Sequence, residues 1–275
     1  MGREARGELL MPALLFEKDG PIATLTINRP EERNILGEPG DGALFAGAAA
    51  RINADDEIRC AVLTGAGLAF SAGGNLKAMR DKTGLFAGAP DEIREAYKRD
   101  IHTIIRSLWS LKVPLIAAVN GAAIGLGNDV ACLADIRIAS DTAVFGATFL
   151  KVGLVPGDGG AWLLPRVIGA SRAAELFFAG ETIDAATALR WGLVSRTVPA
   201  EMVMEEAMGL AARIARQPPA VLRLTKKLMR EAVTADFETI MEMSAEFQAG
   251  AHASQDHAEA LAAYFEKRAP VFKGK

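Results

Sequence analysis

The sequence predicts an α/β body running to about residue 200 and a helical region beyond it, on three observations. Short apolar runs alternate with segments of helical periodicity through the first two-thirds of the chain, the pattern of parallel strands joined by crossover helices. Glycine clusters follow three of those apolar runs: of 27 glycines, 14 fall between Gly65 and Gly160 and three after Gly192. From Ala200 onward glycine nearly vanishes and three or four helices follow. The division expected is therefore a core over residues 1–200 and a helical part over 201–275.

Residues 14–16 and 22–27 read as strands around the Asp19-Gly20-Pro21 turn, the second with the period-2 alternation of a half-buried strand. Pro39, Gly40 and Gly42 delay the next helix, predicted over 43–53. Residues 59–64 (RCAVLT) form a short buried strand running into Gly65-Ala66-Gly67. One long helix is predicted over 91–110, with Ile93, Tyr97, Ile101, Ile104, Ile105 and Leu108 on its apolar face. Pro114 opens a buried strand over 115–119, followed by a helix around 129–134 and a strand over 136–139. In the tail, helices are predicted over 201–216, 220–232, 237–249 and 256–267, with Pro218 and Pro219 between the first two.

Composition sets the class. The chain has 275 residues, half of them apolar, and a formal charge of −3. That is enough apolar material for a sizeable core and argues against a disordered chain. It also lacks the basic balance of a nucleic-acid binder, so no nucleic-acid partner is expected. Cys60 and Cys132 lie far apart in apolar surroundings without CxxC partners, which reads as two buried thiols in a reducing compartment, with no disulfide framework and no metal site. The opening MGREARGELL lacks the apolar core of a signal peptide, and Arg6 spoils a myristoylation pattern. The most apolar stretch, residues 113–127, is broken by Pro114 and Asn120, so no membrane span is expected and the compartment predicted is the cytoplasm.

The glycine clusters lie where strand ends can build a site: FSAGGNLK (70–77), NGAAIGLGND (120–129) and VPGDGG (155–160). A dinucleotide fingerprint fails in both candidate places, because Phe70 and Val130 stand where the third glycine is needed. A Walker A lysine followed by Ser or Thr is also absent. Another use of glycine fits better. Backbone N–H groups from a tight turn and from a helix N-terminus can converge on one oxygen and stabilise the charge of a forming enolate. Taken one at a time, each cluster reads first as a plain turn.

Taken together, they resemble the crotonase superfamily, the enoyl-CoA hydratase/isomerase group. The resemblance is carried by Asn28-Arg29-Pro30 with Asn34, by VLTGAGLAFSAGGNLKAM (62–79) and by PLIAAVNGAAIGLGNDVACLADIRIAS (114–140). It continues through FGATFLKVGLVPGDGGAWLLPRVIG (145–169) and ALRWGLV (188–194), so it spans essentially the whole chain in order. It implies a crotonase-like spiral of ββα units with a helical C-terminal trimerisation region, in trimers often paired into hexamers. It also implies an acyl-CoA thioester as substrate and no separate cofactor, coenzyme A being part of the substrate. By position, the oxyanion donors would be the N–H groups of Gly74 and Leu126. Gly73, Asn75, Leu76 and Lys77 would help cradle CoA. Tyr264 and Lys267 match positions that reach CoA, often that of a neighbouring subunit, although Lys267 reads equally well as a solvated surface lysine.

The chain departs from a hydratase at the acids. Hydration calls for carboxylates on either side of a water. The first glutamate position holds Asp129, read as the principal proton-transfer group, with the alternative that it complements the helix dipole. The second falls on Phe149, which cannot move a proton. Asp158 is a nearby replacement, or simply part of a Pro-Gly-Asp-Gly-Gly turn. Gly37 to Gly40 also depart from the family pattern, which begins a helix there. His102, His252 and His257 read as packed or surface histidines. The expected function is enoyl-CoA hydration. The alternatives are one-base double-bond isomerisation and a catalytically weak CoA-thioester binding protein.

Overall fold

The computed structural model describes residues 12–275, so the reading of residues 1–10 lies outside it. Ten strands follow in chain order: β1 (Leu14–Asp19), β2 (Ile22–Ile27), β3 (Cys60–Gly65), β4 (Ala69–Ser71) and β5 (Leu115–Val119). Then come β6 (Ala122–Ile124), β7 (Ile136–Ser140), β8 (Val144–Gly146), β9 (Thr182–Asp184) and β10 (Arg196–Val198). The helices of the body are α1 (Asp41–Ala54), α2 (Leu76–Asp81), α3 (Pro90–Arg99), α4 (Ile101–Trp109), α5 (Leu126–Leu133), α6 (Gly160–Ile168), α7 (Ala170–Ala179) and α8 (Ala185–Trp191). The tail adds α9 (Val203–Ala215), α10 (Pro219–Glu231), α11 (Phe237–His252) and α12 (Gln255–Glu266).

The strands form two sheets. The larger runs β1-β2-β3-β5-β7-β10, parallel throughout except for the β1–β2 hairpin. The smaller runs β4-β6-β8-β9, with β4, β6 and β8 parallel. Three inner strands of the first sheet, β3, β5 and β7, are each followed by a short strand of the second and then by a helix, giving the ββα units β3-β4-α2, β5-β6-α5 and β7-β8-α6. The three-residue strands of the second sheet carry too few residues for a period to register, and only the longer partners are visible in the sequence.

β3 and β5 are buried at every residue because the sheet is covered on both faces. One face meets α1 and the helices that follow, through Ala61, Leu63, Leu115 and Val119. The other carries Cys60, Val62, Ile116, Ala118 and Ile138, and α9 lies on it through Val203, Ala207, Ala211 and Ala215. That i, i+4 stripe of small residues puts one helix face close against the sheet. α10 to α12 contribute little to either core; α11 has no buried residue.

Two expectations need correction. The helix predicted over 91–110 is two helices, broken at Asp100 (φ −106°, ψ −68°). Asp100 is buried, and its Oδ1 accepts the Gly40 N–H at 2.8 Å. α1 also begins at Asp41, earlier than its glycines suggest. A Cβ on Gly42 would overlap the Arg99 carbonyl and lie 2.9 Å from Asp100 Cα, so Gly42 is what lets the first turn of α1 press against the break.

Candidate active site

Because β4, β6 and β8 are adjacent and parallel, the segments that leave their C-terminal ends emerge side by side. Those segments are the three glycine clusters. Gly73 has φ +84°, and a Cβ there would overlap the Ile124 carbonyl and lie 3.3 Å from the Leu126 nitrogen. Glycine is therefore required for the first cluster to lie against the second. A Cβ on Gly127 would likewise overlap the Ser71 carbonyl, so α5 starts directly on β4.

Asn34 holds this junction from behind. Its Oδ1 accepts the Arg29 N–H at 2.9 Å, and its Nδ2 donates to the carbonyls of Ala66 and Ala69 at 2.8 and 2.7 Å. Its own carbonyl accepts the Ser71 hydroxyl at 2.7 Å, and Ser71 Oγ accepts the Gly73 N–H at 3.1 Å. The Gly73 carbonyl accepts the Leu36 N–H at 2.8 Å. Among the described residues, neither the Gly74 nor the Leu126 N–H donates to a protein acceptor; Leu126 opens α5, where no intrahelical partner exists. Gly74 and Leu126 line the same pocket, of about 90 Å³.

Asp158 is the one carboxylate on that pocket's wall. It is 3 % exposed, and its Oδ1 accepts the Tyr97 hydroxyl at 2.9 Å. Burial pushes its pKa up to about 6, against the pull of the Tyr97 hydrogen bond and nearby His102. Asp129 stands behind the wall, fully buried and absent from the pocket lining. Its carboxyl group packs so closely on Gly160 that no side chain fits there. Its Oδ1 has a long contact of 3.5 Å with Asn128 Nδ2, and among the described residues its Oδ2 has no hydrogen-bond partner. Burial first, and the charge of Asp158 second, hold its pKa well above the usual carboxylate range. Phe149 lines the pocket with its ring 3.8 Å from where a Cβ on Gly125 would stand.

Two further spaces adjoin this pocket. One, of about 230 Å³, shares Ala72, Gly74 and Leu76 with it and adds Asn75, Lys77, Glu31 and Glu32. Here Asn75 caps α2, its Oδ1 accepting from the N–H groups of Lys77 and Ala78 at 3.0 and 3.1 Å, while its Nδ2 donates to Glu38 at 2.8 Å. The Gly37–Gly40 stretch thus ties that cap to the break at Asp100. The other space is an apolar groove of about 630 Å³, sharing Leu76, Met79, Tyr97, Val152 and Leu154 and extending past Phe86 and Ile93.

The fold brings Gly73, Gly74, Asn75, Leu76, Lys77, Leu126 and Asp158 to one place, with Asp129 behind them. Tyr264 and Lys267 lie at the end of α12 and line none of these three spaces. Sequence reasoning missed two residues at the site. Tyr97 had been counted only as part of an apolar helix face, and His102 as a packed histidine. Yet His102 Nε2 lies 2.9 Å from the Gly157 carbonyl, and its ring meets Tyr97 edge-on. The helix break at Asp100, which turns both toward the third cluster, leaves no periodic signal.

Comparison with known proteins identifies the family and the fold. The sequence profile of the enoyl-CoA hydratase/isomerase family matches residues 17–275. The chain is 38% identical to the 1,2-epoxyphenylacetyl-CoA isomerase of Escherichia coli, over 97% of this chain and 100% of that protein. It is 33% identical to the short-chain-enoyl-CoA hydratase of Clostridium acetobutylicum, over 93% and 95% respectively. The crystal structure of an enoyl-CoA hydratase from Bacillus anthracis superposes with a TM-score of 0.89 at 31% identity, covering 96% of this chain and all of that one.

Proposed function

The chain belongs to the enoyl-CoA hydratase/isomerase family of the crotonase superfamily, whose members process acyl-CoA thioesters, and from that premise we propose that it shifts a double bond within an enoyl-CoA through a single carboxylate, Asp158. The observation carrying this reading is that Asp158 is the one carboxylate on the wall of the pocket bordered by the Gly74 and Leu126 N–H groups.

In this reading the two N–H groups hold the thioester oxygen. Asp158 takes a proton from the carbon α to the thioester of a 3-enoyl-CoA, and the electron pair passes into the carbonyl as an enolate. Returning the proton to the γ carbon gives the 2-enoyl-CoA, so no atom is gained or lost. A carboxylate whose pKa is pushed up to about 6 is a stronger base than an exposed one and is still mostly ionised at pH 7. The space beside Asn75 and Lys77 takes the CoA side and the apolar groove takes the acyl side.

Hydration is the second reading, supported by the hydratases among the relatives and by the electrostatic coupling of Asp129 to Asp158. In that case Asp158 takes a proton from a water whose oxygen bonds to the β carbon of a 2-enoyl-CoA, the two N–H groups hold the enolate that results, and the proton is returned from the Asp158–Asp129 pair to the α carbon. Purified protein incubated with 3-enoyl-CoA and 2-enoyl-CoA separates the two. Isomerisation without hydration, abolished in Asp158→Asn, is the expected result. Full activity in that variant refutes the role of Asp158, and hydration dependent on Asp129 selects the second reading.

We also propose a homotrimer. Its support is the exposed apolar surface of the tail, including Phe237, Tyr264 and Phe265, the last two 77% and 78% exposed. In it the core to residue 200 carries the chemistry, the helical region serves assembly, and Tyr264 and Lys267 reach a neighbour's CoA. Mass measurement in solution tests this. Among the described residues no helix is long and apolar enough to cross a membrane, and the compartment proposed is the cytoplasm.

A further inference from the structure

Tyr97 sits in the last turn of α3 and His102 in the first turn of α4. On one continuous helix, residues five apart point about 140° away from each other and do not serve the same loop. The break at Asp100 removes that constraint. It brings the two rings to 5.7 Å, edge-on, and both reach the segment that carries Asp158: Tyr97 through Oδ1 of the aspartate, His102 through the Gly157 carbonyl. Among the described residues Asp158 Oδ2 has no hydrogen-bond partner, and it is absent from the fully buried unpartnered oxygens.

We propose that Tyr97 and His102 are a positioning pair for Asp158: Tyr97 occupies Oδ1 and leaves Oδ2 to move the proton, and His102 fixes the loop by donating from Nε2 to the Gly157 carbonyl. This rests on reading Asp158 as the proton carrier. The titratable groups around Asp158 are Tyr97 and His102 from the α3–α4 side and Asp129 from α5. Burial pushes the Tyr97 hydroxyl far from ionising, so it acts as a donor throughout the working range. A donor to the charged form favours the carboxylate, so Tyr97 holds down a basicity that burial alone would raise further.

The test is a pH profile of kcat and KM on a 3-enoyl-CoA for the wild type and for Tyr97→Phe, His102→Ala and His102→Gln. A lost hydrogen bond to a charged group moves the acid limb of kcat in Tyr97→Phe up by about one unit, with KM changed less than twofold. The carboxyl resonance of Asp158, assigned by its loss in Asp158→Asn, shifts its titration in the same direction by ¹³C NMR without any substrate. His102→Ala lowers kcat about tenfold, and His102→Gln, whose amide can still donate, recovers most of it. An unmoved acid limb and carboxyl titration in Tyr97→Phe, or equal kcat in the two His102 variants, overturns the positioning pair. Full activity in Asp158→Asn instead overturns the underlying reading.

Discussion

Asp158→Asn keeps the shape of the side chain and an oxygen for the Tyr97 hydroxyl, but it removes the group that titrates. The native fold raises the Asp158 pKa from 3.8 to about 6, so folding favours the protonated form. That preference is fully present below the unfolded value and is lost as pH rises through about 6. Above that range the wild type carries a buried charge that costs ~3 kcal/mol of stability at about 1.4 kcal/mol per pH unit. The asparagine variant escapes this. Its amide nitrogen takes the place of Oδ2, which has no protein partner to lose, so the net gain expected at pH 8 is about 2–3 kcal/mol. For a chain of this size that raises Tm by roughly 5 °C. At pH 3.5, where both wild-type states are mostly protonated, the difference shrinks to a few tenths of a kcal/mol. Urea unfolding at the two pH values measures it directly. Turnover moves the other way, falling by roughly 10²–10⁴ as expected for loss of a general base. A stability difference that does not change between pH 3.5 and pH 8 would refute the placement of a strained, buried carboxylate at this wall.

Other perturbations read out the rest of the site. Phe149→Glu places a second carboxylate on the wall of the pocket, and the ratio of hydration to isomerisation measured on 2-enoyl- and 3-enoyl-CoA should rise at least tenfold, with a loss of about 2–3 kcal/mol in stability for burying an acid in place of a packed ring. Gly160→Ala drives a methyl group into the Asp129 carboxyl, which has nowhere to go, and should cost about 2–4 kcal/mol in a thermal or urea melt. Ile93→Trp fills the apolar groove, and kcat/KM for a ten-carbon enoyl-CoA should fall about 10–100-fold while that for a four-carbon one stays within twofold, since each buried methylene is worth ~0.8 kcal/mol.

In the larger sheet β1, β2, β3, β5 and β7 were legible as apolar runs bounded by turn residues, as in residues 115–119, where prediction and structure coincide, while the three-residue edge strand β10 was not. The smaller sheet was not: β4, β6, β8 and β9 are three residues long and have no period to detect. The glycine clusters pointed to the place where a pocket forms, and Gly73 shows why they meet there, since its positive φ and its contact with the Ile124 carbonyl disfavour any other residue. What the sequence hid was orientation. Asp129 and Asp158 look like similar acids near similar glycines, and which of them faces the pocket depends on how α6 lies against α5. His102 was hidden for the same reason, because its direction is set by a tertiary contact between Asp100 and Gly40.

That contact gives the departure at Gly37–Gly40 a physical purpose. Asp100 accepts from Gly40, Glu38 accepts from the Asn75 cap, and Gly37 (φ +85°) lies so close to Ile101 that a Cβ would stand 2.9 Å from Cγ1. One short loop therefore ties the Asn75 cap of α2 to the start of α4, where His102 reaches toward the Asp158 loop. A helix begun at Gly37 would give up these links, since the N–H of Gly40 would turn inward to its own helix rather than to Asp100. The break in the long helix and the delayed start of α1 are thus a single arrangement. Its consequence is a candidate pocket whose one lining carboxylate is held from the α3–α4 side, and to which Phe149 adds no acid.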